Sequence, residues 1–549
     1  MFDGNDLCWI PSIPSLDENS WRIRASQFAE GYQHRQLDGI NALEQVWSLE
    51  WTNRAEADLL SMQSYLAAQQ GRSFPFMHPV TGLEYYVFCD EWEVSWDTRR
   101  KGDVYVGTLS AKFEKANGAQ VPQAPSWVLA PGGNYPALHV SFVNQQMWDM
   151  LGGERLLEEG LTVARNSVAT VDDPDTGVWR SVPVNTLRVD TRGVLIETAR
   201  TNGARNSVLA GFVPGTPGTV PTTWAPMDAT GITRTIVGSG VEDGIDYVDI
   251  KWTGTNTSGG AMALGLHMNG NYPVAAVGET WTSSWFVRLM AGSYTNVDVG
   301  TGGVVTWEAL SNGVAQGSGL GWGLYRAIDA PLRTQRPVSI RTLNQAGTGL
   351  VFTQYRMHVQ NGAVIDITLR FGWPQIEKGS FPSTPIKTTT VAVTRPQDDL
   401  SFGLSSIFSP SEGTLFARGF ITRTNTDTYG AMAEINYGGT PAERYLIYIN
   451  LPGTSAASLY DNSVSQAAFS SPSPGVGEER RVAVGWKKND FVYCANGVLQ
   501  YDNSGTLGTA DRIWFGKFGS GYAMDGWLSE VIYWRKKLTD AQIKSVAKY

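Results

Sequence analysis

From about Ala204 onward the chain is a succession of short apolar stretches separated by Gly, Ser and Thr turns. Helical periodicity is almost absent until the last dozen residues. A pattern of this kind cannot pack as a helical bundle; short strands between frequent turns close into sandwiches or barrels. Composition agrees, with 60 glycines in 549 residues and 20 Phe, 20 Trp and 21 Tyr against only 17% charged residues. Aromatic side chains favour strands, and glycine supplies tight turns. The apolar share of 42% can bury real cores, so a disordered chain is excluded, and no G-X-Y period runs anywhere, which excludes collagen. The expected fold class is mostly β and multi-domain: a small α+β domain followed by two β-sandwich (jelly-roll) domains.

Charge narrows the partners. With 43 basic and 52 acidic residues the formal net charge is −9, and no Lys/Arg run is longer than three residues. Binding nucleic acid by phosphate neutralisation is therefore not expected. Apolar stretches such as Tyr445 to Leu451 are far shorter than the roughly 18 residues of a membrane helix, so no membrane insertion is expected either. The opening MFDGNDLCWI carries Asp3 and Asp6 and no basic region, unlike a Sec-type signal. Cys8, Cys89 and Cys494 make no CxxC and no metal quartet. We read them as buried thiols of a chain folded in a reducing compartment, with a Cys8–Cys89 bridge as the alternative.

Residues 1–116 stand apart. Asn53 with Glu56 three residues on reads as a capping box, Leu59, Met62 and Leu66 follow at helical spacing, and Gly71 is a natural stop. Trp47, Leu49 and Trp51 alternate with polar residues, and Tyr105, Leu109, Ala111 and Phe113 share one face of a later strand. Residues 117–200 read as a Pro/Gly-rich stretch, a linker or an arm lying on a neighbour, followed by an irregular connector. Residues 201–388 and 389–549 have the size and texture of two sandwiches. The strand Trp527 to Trp534 runs into a short helix, with Thr539 and Gln542 as a capping box and Leu538 stapled onto Ile543.

Particular residues carry family likenesses. Arg24, then Phe28-Ala29-Glu30-Gly31-Tyr32-Gln33-His34-Arg35, Gly39-Ile40-Asn41, Trp47 and Trp51, Phe74-Pro75-Phe76 and Ala111-Lys112-Phe113-Glu114 follow the order of motifs in a known family. Residues 22–116 thereby resemble the phage minor tail protein family typified by the lambda tail-tip protein M. Departures are Ala29 and Glu30 in place of Gly-Asp, and His34 inserted before Arg35. Gly372-Trp373-Pro374-Gln375-Ile376-Glu377-Lys378-Gly379 through Thr384 resembles the ending of jelly-roll modules of phage structural proteins, which are similar to carbohydrate-binding modules. Gly193 to Asn202 resembles the segment that precedes them. Glu412 to Ala417, after Thr394-Arg395 and Asp398, resembles the first strand of concanavalin A-like (laminin-G-like) lectin domains, and Trp527 to Ile543 their last strand and helix.

Catalytic motifs are scarce. His34, His78, His139, His267 and His358 form no HExxH or paired spacing, and no GxSxG elbow occurs. Gly317 to Gly323 fits neither GxGxxG nor a Walker loop and reads as a sheet-edge turn. Glu91 and Glu93 read as a solvated strand face. Glu434, Glu443, Glu478, Glu479 and Glu530 do not align on one strand as the two carboxylates of a glycosidase would. No enzyme activity and no cofactor are expected. Asp172 to Gly177 and the cluster Glu242, Asp243, Asp246 and Asp249 could hold a structural Ca²⁺, with solvated loops as the alternative. Sugar binding needs exposed aromatic platforms with hydrogen-bonding neighbours. The candidates in polar, Gly-rich surroundings are Trp224, Trp322, Tyr325, Tyr429 and Tyr437, each with burial in a core or at a subunit contact as its competing role.

The resemblances imply a tail-tip or baseplate protein of a long-tailed phage. It would form a homo-oligomeric ring, by resemblance a hexamer, at the end of the tail tube, with Arg24, Phe28, Gly31, Tyr32, Arg35, Gly39 and Asn41 serving ring assembly. Its partners would be the tail tube protein, tail-tip hub proteins and host cell-surface polysaccharide. Its place would be the virion, after synthesis in the bacterial host cytoplasm. Two other readings stay open: sandwiches that dock other tail proteins or fibres, and a virion-borne glycan-cleaving enzyme.

Overall fold

The computed structural model describes residues 11–12, 16–21, 23–27, 33–37, 43–69, 71, 73–77, 84–97, 105–116, 125–422, 429–450, 454–472, 474–518 and 522–548. The architecture is mostly β, in several sandwich-like layers.

In the N-terminal part, five antiparallel strands lie in the order Leu16–Trp21, Leu43–Ala55, Val106–Lys115, Glu84–Trp96 and Phe74–Met77. Trp47, Leu49, Trp51, Leu109, Ala111 and Phe113 face inward, as period-2 alternation requires, and meet Leu59, Met62 and Leu66 of the helix Glu56–Gln69. Two details differ from expectation. The strand runs on to Ala55, and Asn53 is a left-handed residue (φ 57°) at an irregularity between Trp51 and Arg54 rather than a helix cap. Asparagine tolerates that conformation better than most residues. Tyr105 is 51% exposed and lies before the strand rather than on its inward face.

Residues 137–200 are not an irregular connector. Leu138–Ser141 pairs antiparallel with the strand Gly526–Trp534, matching Val140 to Val531, and Gly193–Ile196 pairs with the same strand, matching Leu195 to Trp527. Thr162–Ala164 pairs with Asp399–Gly403. The result is one large base sandwich of a ten-stranded and a seven-stranded sheet, built from chain on both sides of residues 201–388. Its core runs unbroken from Leu138, Val140 and Val194 to Leu415, Tyr445, Trp486 and Tyr533. The early strands span only three to five residues each. Segments that short carry little periodicity, and Leu138–Ser141, Thr162–Ala164 and Gly193–Ile196 are fixed by partners more than 200 residues away.

The described arm, 125–136, lies on its own chain. Trp534 Nε1 donates to Asn134 O at 3.1 Å, and Gln542 Nε2 donates to Pro131 O at 3.0 Å. The terminal helix Asp540–Val546 begins with the expected Thr539–Gln542 capping box, and Leu538 and Ile543 are buried in one cluster.

The sandwich within 201–388 is inserted into the base. Its front sheet has the order Trp224–Met227, Met262–Met268, Thr348–Val359, Gly303–Leu310 and Ala315–Leu324. Its back sheet contains Ile232–Glu242, Ile245–Thr255, Val364–Lys378, Thr280–Gly292 and Val338–Thr342. Trp252, Trp285, Tyr355 and Phe371 fill the space between them, and Trp285 Nε1 donates to Thr353 Oγ1 at 2.8 Å. Among the described residues no helix is long and apolar enough to cross a membrane.

Candidate functional site

The motifs that bracket the insert meet at one place, and their role there is mechanical. Asp398 accepts from Arg165 Nη1 at 2.9 Å, from Arg188 and from the Glu197 backbone N–H at 3.0 Å. Glu197 accepts from Arg188 Nη1 (2.7 Å), Thr384 Oγ1 (2.6 Å) and Thr384 N (3.0 Å), with Arg395 at 3.4 Å. All five charged residues are at most 2% exposed. Asn202 adds donors to Pro374 O and Ile386 O, and its Oδ1 accepts from Ile376 N. Glu377 accepts from Ser383 and Gln375. Sealed from water, this network fixes the insert onto the base and offers nothing to a ligand.

The aromatic candidates separate by burial. Trp224 is 3% exposed, packs edge-on against Trp285 at 4.9 Å and donates Nε1 to Asn206 O at 3.1 Å. It is a core residue, not a platform, because its apolar ring is enclosed and its N–H is satisfied. Tyr325 is half-buried, its hydroxyl donating to Gln335 Oε1 at 3.2 Å. Trp322 stands half-exposed on the front sheet of the insert, edge-on to His358 at 6.1 Å. Tyr429 and Tyr437 are 46% and 51% exposed and belong to the base sandwich. Arg24 and Arg35 lie on the paired strands Ile23–Gln27 and Gln33–Leu37, while Phe28, Gly31, Tyr32, Gly39 and Asn41 lie outside the described residues.

Around Tyr429 the seven-stranded sheet presents a face that single-residue reading missed. On the strand Thr440–Asn450, Tyr445, Ile447 and Ile449 enter the core, so Arg444 and Tyr448 stand on the other face. Tyr429 packs edge-on against Tyr448 at 5.4 Å and lies 6.3 Å from Tyr522. Arg444 sits between the rings of Tyr460 (4.0 Å) and Phe518 (4.7 Å), a cation–π arrangement. Burial, with the neighbouring Tyr429 and Tyr460, raises the Tyr448 phenol, so its hydroxyl stays protonated. This exposed edge of aromatic rings beside a guanidinium can stack a sugar ring and hydrogen-bond its hydroxyls. The signal was present in the sequence as the period-2 spacing of Arg444 and Tyr448, hidden by the core tyrosine between them.

A cleft of about 1150 Å³ opens where the insert meets the base, lined by Arg200, Arg205, Asn271, Glu279 and Lys378. Its Trp281 ring is only 7% exposed, and Lys378 is paired to Glu279 at 2.6 Å, so it lacks an aromatic platform.

Acidic clusters are occupied by the chain itself. Glu242 binds Arg288 and Arg370, Asp249 binds Arg370, and Asp246 accepts from Trp373 Nε1. Asp173 caps its own turn by accepting from Asp175 N at 3.0 Å. Among the described residues no three His, Cys, Asp or Glu side chains stand close enough to share a metal ion. Glu530 accepts from His139 Nε2 at 2.7 Å and pairs with Arg418 at 3.1 Å, while Glu443 accepts from Thr509 N at 3.1 Å. Cys89 and Cys494 are buried free thiols; burial pushes Cys89 up to about 12 and also raises Cys494, which leaves both inert at neutral pH.

The sheet-and-helix unit at the N-terminus coincides with a known family. Residues 5–117 match the phage minor tail protein family. No relative emerged among curated protein sequences. Similar solved structures include the CBM40 of the Ruminococcus gnavus IT-sialidase bound to α2,3-sialyllactose, at 16% identity over 27% of this chain and 92% of that one (TM-score 0.23). A SAP-like pentraxin from Limulus polyphemus matches at 18% over 26% and 73% (TM-score 0.21). Trypanosoma rangeli sialidase matches at 9% over 98% of both chains (TM-score 0.24). The minor-tail segment thus covers the α+β unit, while the two sandwiches lie beyond it.

Proposed function

We propose that this protein is a non-enzymatic structural component of a phage tail tip, whose N-terminal unit joins a ring on the tail tube and whose sandwiches bind host-surface glycan. The match of residues 5–117 to the phage minor tail protein family carries the first half. The ring, hexameric by resemblance, would contact the tail tube protein and neighbouring tail-tip proteins. The Tyr429, Tyr448 and Arg444 face supports the second half, since it combines exposed rings with hydrogen-bonding groups. Repetition around a ring would strengthen individually weak sugar contacts by an avidity of roughly 10²–10⁴. Three carboxylates of the lectin-like part fit a structural role: Glu530, Glu479 and Glu443 are each held by cations or backbone N–H groups.

A glycan array probed with the full chain tests the reading. The full chain is needed because a fragment starting at residue 200 would lack the base strands Leu138–Ser141 and Gly193–Ile196. Retention of host polysaccharide without shortening of its chains is the expected result. Shortened chains would establish a hydrolase instead, and absence of retention would leave the sandwiches to protein docking.

A further inference from the structure

The insert carries a second outward face whose chemistry is more specific than stacking. On the strand Thr348–Val359, Val351, Tyr355 and Met357 enter the core, so Gln354, Arg356 and His358 line the outer face of the front sheet. Arg356 pairs across the strands with Gly265 on one side and Gly303 on the other, so no neighbouring side chain rises beside it. The backbone demands glycine at both places, since a Cβ would come within 2.0 Å of Tyr355 O at Gly265 and 2.2 Å of Gly323 O at Gly303. The outcome is a trough with an arginine at its centre.

The walls are aromatic and imidazole. The Arg356 guanidinium lies over the Trp307 ring at 4.9 Å, and its Nε donates to His358 Nε2 at 2.7 Å. Accepting through Nε2 makes His358 a neutral imidazole with its proton on Nδ1. Trp322 reaches edge-on to His358 at 6.1 Å. His267 stands opposite Gln354 on the neighbouring strand, with Nδ1 bound to Met268 O at 2.6 Å. Gln354 is 2% exposed, and its Nε2 has no acceptor.

Arg356 is a half-buried cation with no counter-charge among the described residues, flanked by an indole and an imidazole. On the insert's back sheet, Arg288 and Arg370 each bind two carboxylates, and Arg234 and Arg341 bind one each. Among the described residues Arg356 forms an ion pair with none, and burial alone lowers its pKa. The carboxylate that acts on His358 is Asp298, which accepts from Gln360. A half-buried cation without a carboxylate is unfavourable by itself and becomes favourable when an anion arrives. The planar guanidinium fork matches carboxylate and phosphate oxygens. With a net charge of −9 the protein as a whole repels polyanions, so affinity for one has to be local.

We infer that the trough formed by Arg356, His358, Trp307 and Trp322 is a binding site for the oxyanion of an acidic saccharide, a uronate or sialate carboxylate or a backbone phosphate. Arg356 would hold the oxyanion and Trp322 would pack against the sugar ring. This rests on the glycan-binding reading above and adds the ligand's charge to it.

The test uses the full chain on immobilised polygalacturonate, polysialate, glycerol-phosphate teichoic acid and uncharged dextran and galactan. Binding to at least one acidic polymer is expected, with Arg356→Gln weakening it at least tenfold and Tyr429→Ala much less. The carboxylate polymers and teichoic acid separate the two sources of oxyanion. Arg356→Lys should recover little, because an ammonium lacks the fork. Unchanged thermal unfolding of Arg356→Gln confirms that the loss is local. Binding to neutral polymers only would overturn this site while leaving glycan recognition in place. Binding to none would overturn both, and acidic binding indifferent to Arg356→Gln would overturn the site alone.

Discussion

The two sandwiches use similar layers but close in opposite ways. The insert is one continuous run whose core, around Trp252, Trp285, Tyr355 and Phe371, is completed within its own boundaries. The base is assembled from segments on either side of it and depends on buried ions, with Arg165, Arg188 and Arg395 gathered on Glu197 and Asp398. A discontinuous domain needs a device that brings its halves into register; a continuous one does not. That the device is polar is informative, since buried ion networks add little net stability but penalise any geometry that leaves a charge unpaired. One proposal is that the clamp fixes the angle at which the insert stands on the base.

The contrast breaks most sharply at Asp398. Replacing it with Ala leaves three buried guanidiniums short of a partner and should cost about 3–5 kcal/mol. Calorimetry should show the base transition falling while the insert transition moves little. A shift of both together would mean that the two sandwiches unfold as one unit. Thr353→Val is the converse change: it keeps shape but strands the Trp285 N–H, so the insert alone should lose about 1–3 kcal/mol.

A smaller effect is expected with pH. Burial acts to raise Glu530, but the His139 hydrogen bond and the charges of Arg418 and Arg481 outweigh it, leaving its pKa below the ordinary value of 4.5. A depressed carboxylate pKa contributes stability that is present above the unfolded value and is lost as pH falls through the folded one. The base should therefore weaken on acidification below about pH 4.5, and Glu530→Gln should flatten that limb of the melting profile. Tyr429→Ala should be the mildest for folding, within about 0.5 kcal/mol. Its glycan binding should fall by about 0.5 kcal/mol, the low end for one aromatic contact.

The same contrast explains what could be read in advance. The insert was legible because its strands are long and its turns frequent, and the N-terminal unit because Trp47, Leu49 and Trp51 alternate cleanly. The base was half hidden: Glu412 to Ala417 and Trp527 to Trp534 announced it, but Leu138–Ser141 and Thr162–Ala164 are too short to show a period. The motifs around Glu197, Asn202, Glu377 and Asp398 were visible as patterns, yet their shared purpose depends on contacts across 180 to 210 residues. Trp224 looked like a platform because its sequence neighbours are polar and glycine-rich. Its burial is decided by Trp285, some 60 positions away. Arg356 carried no local signal at all, because what matters is the two glycines on adjacent strands.

Electron microscopy of intact tails decides whether the chain is a tail-tip component with outward-facing sandwiches. Residues 5–117 should sit in a ring against the tail tube, with the sandwiches projecting so that Tyr429 and Trp322 face solvent. Sandwiches enclosed by other tail proteins, or a chain absent from the tail tip, would contradict it.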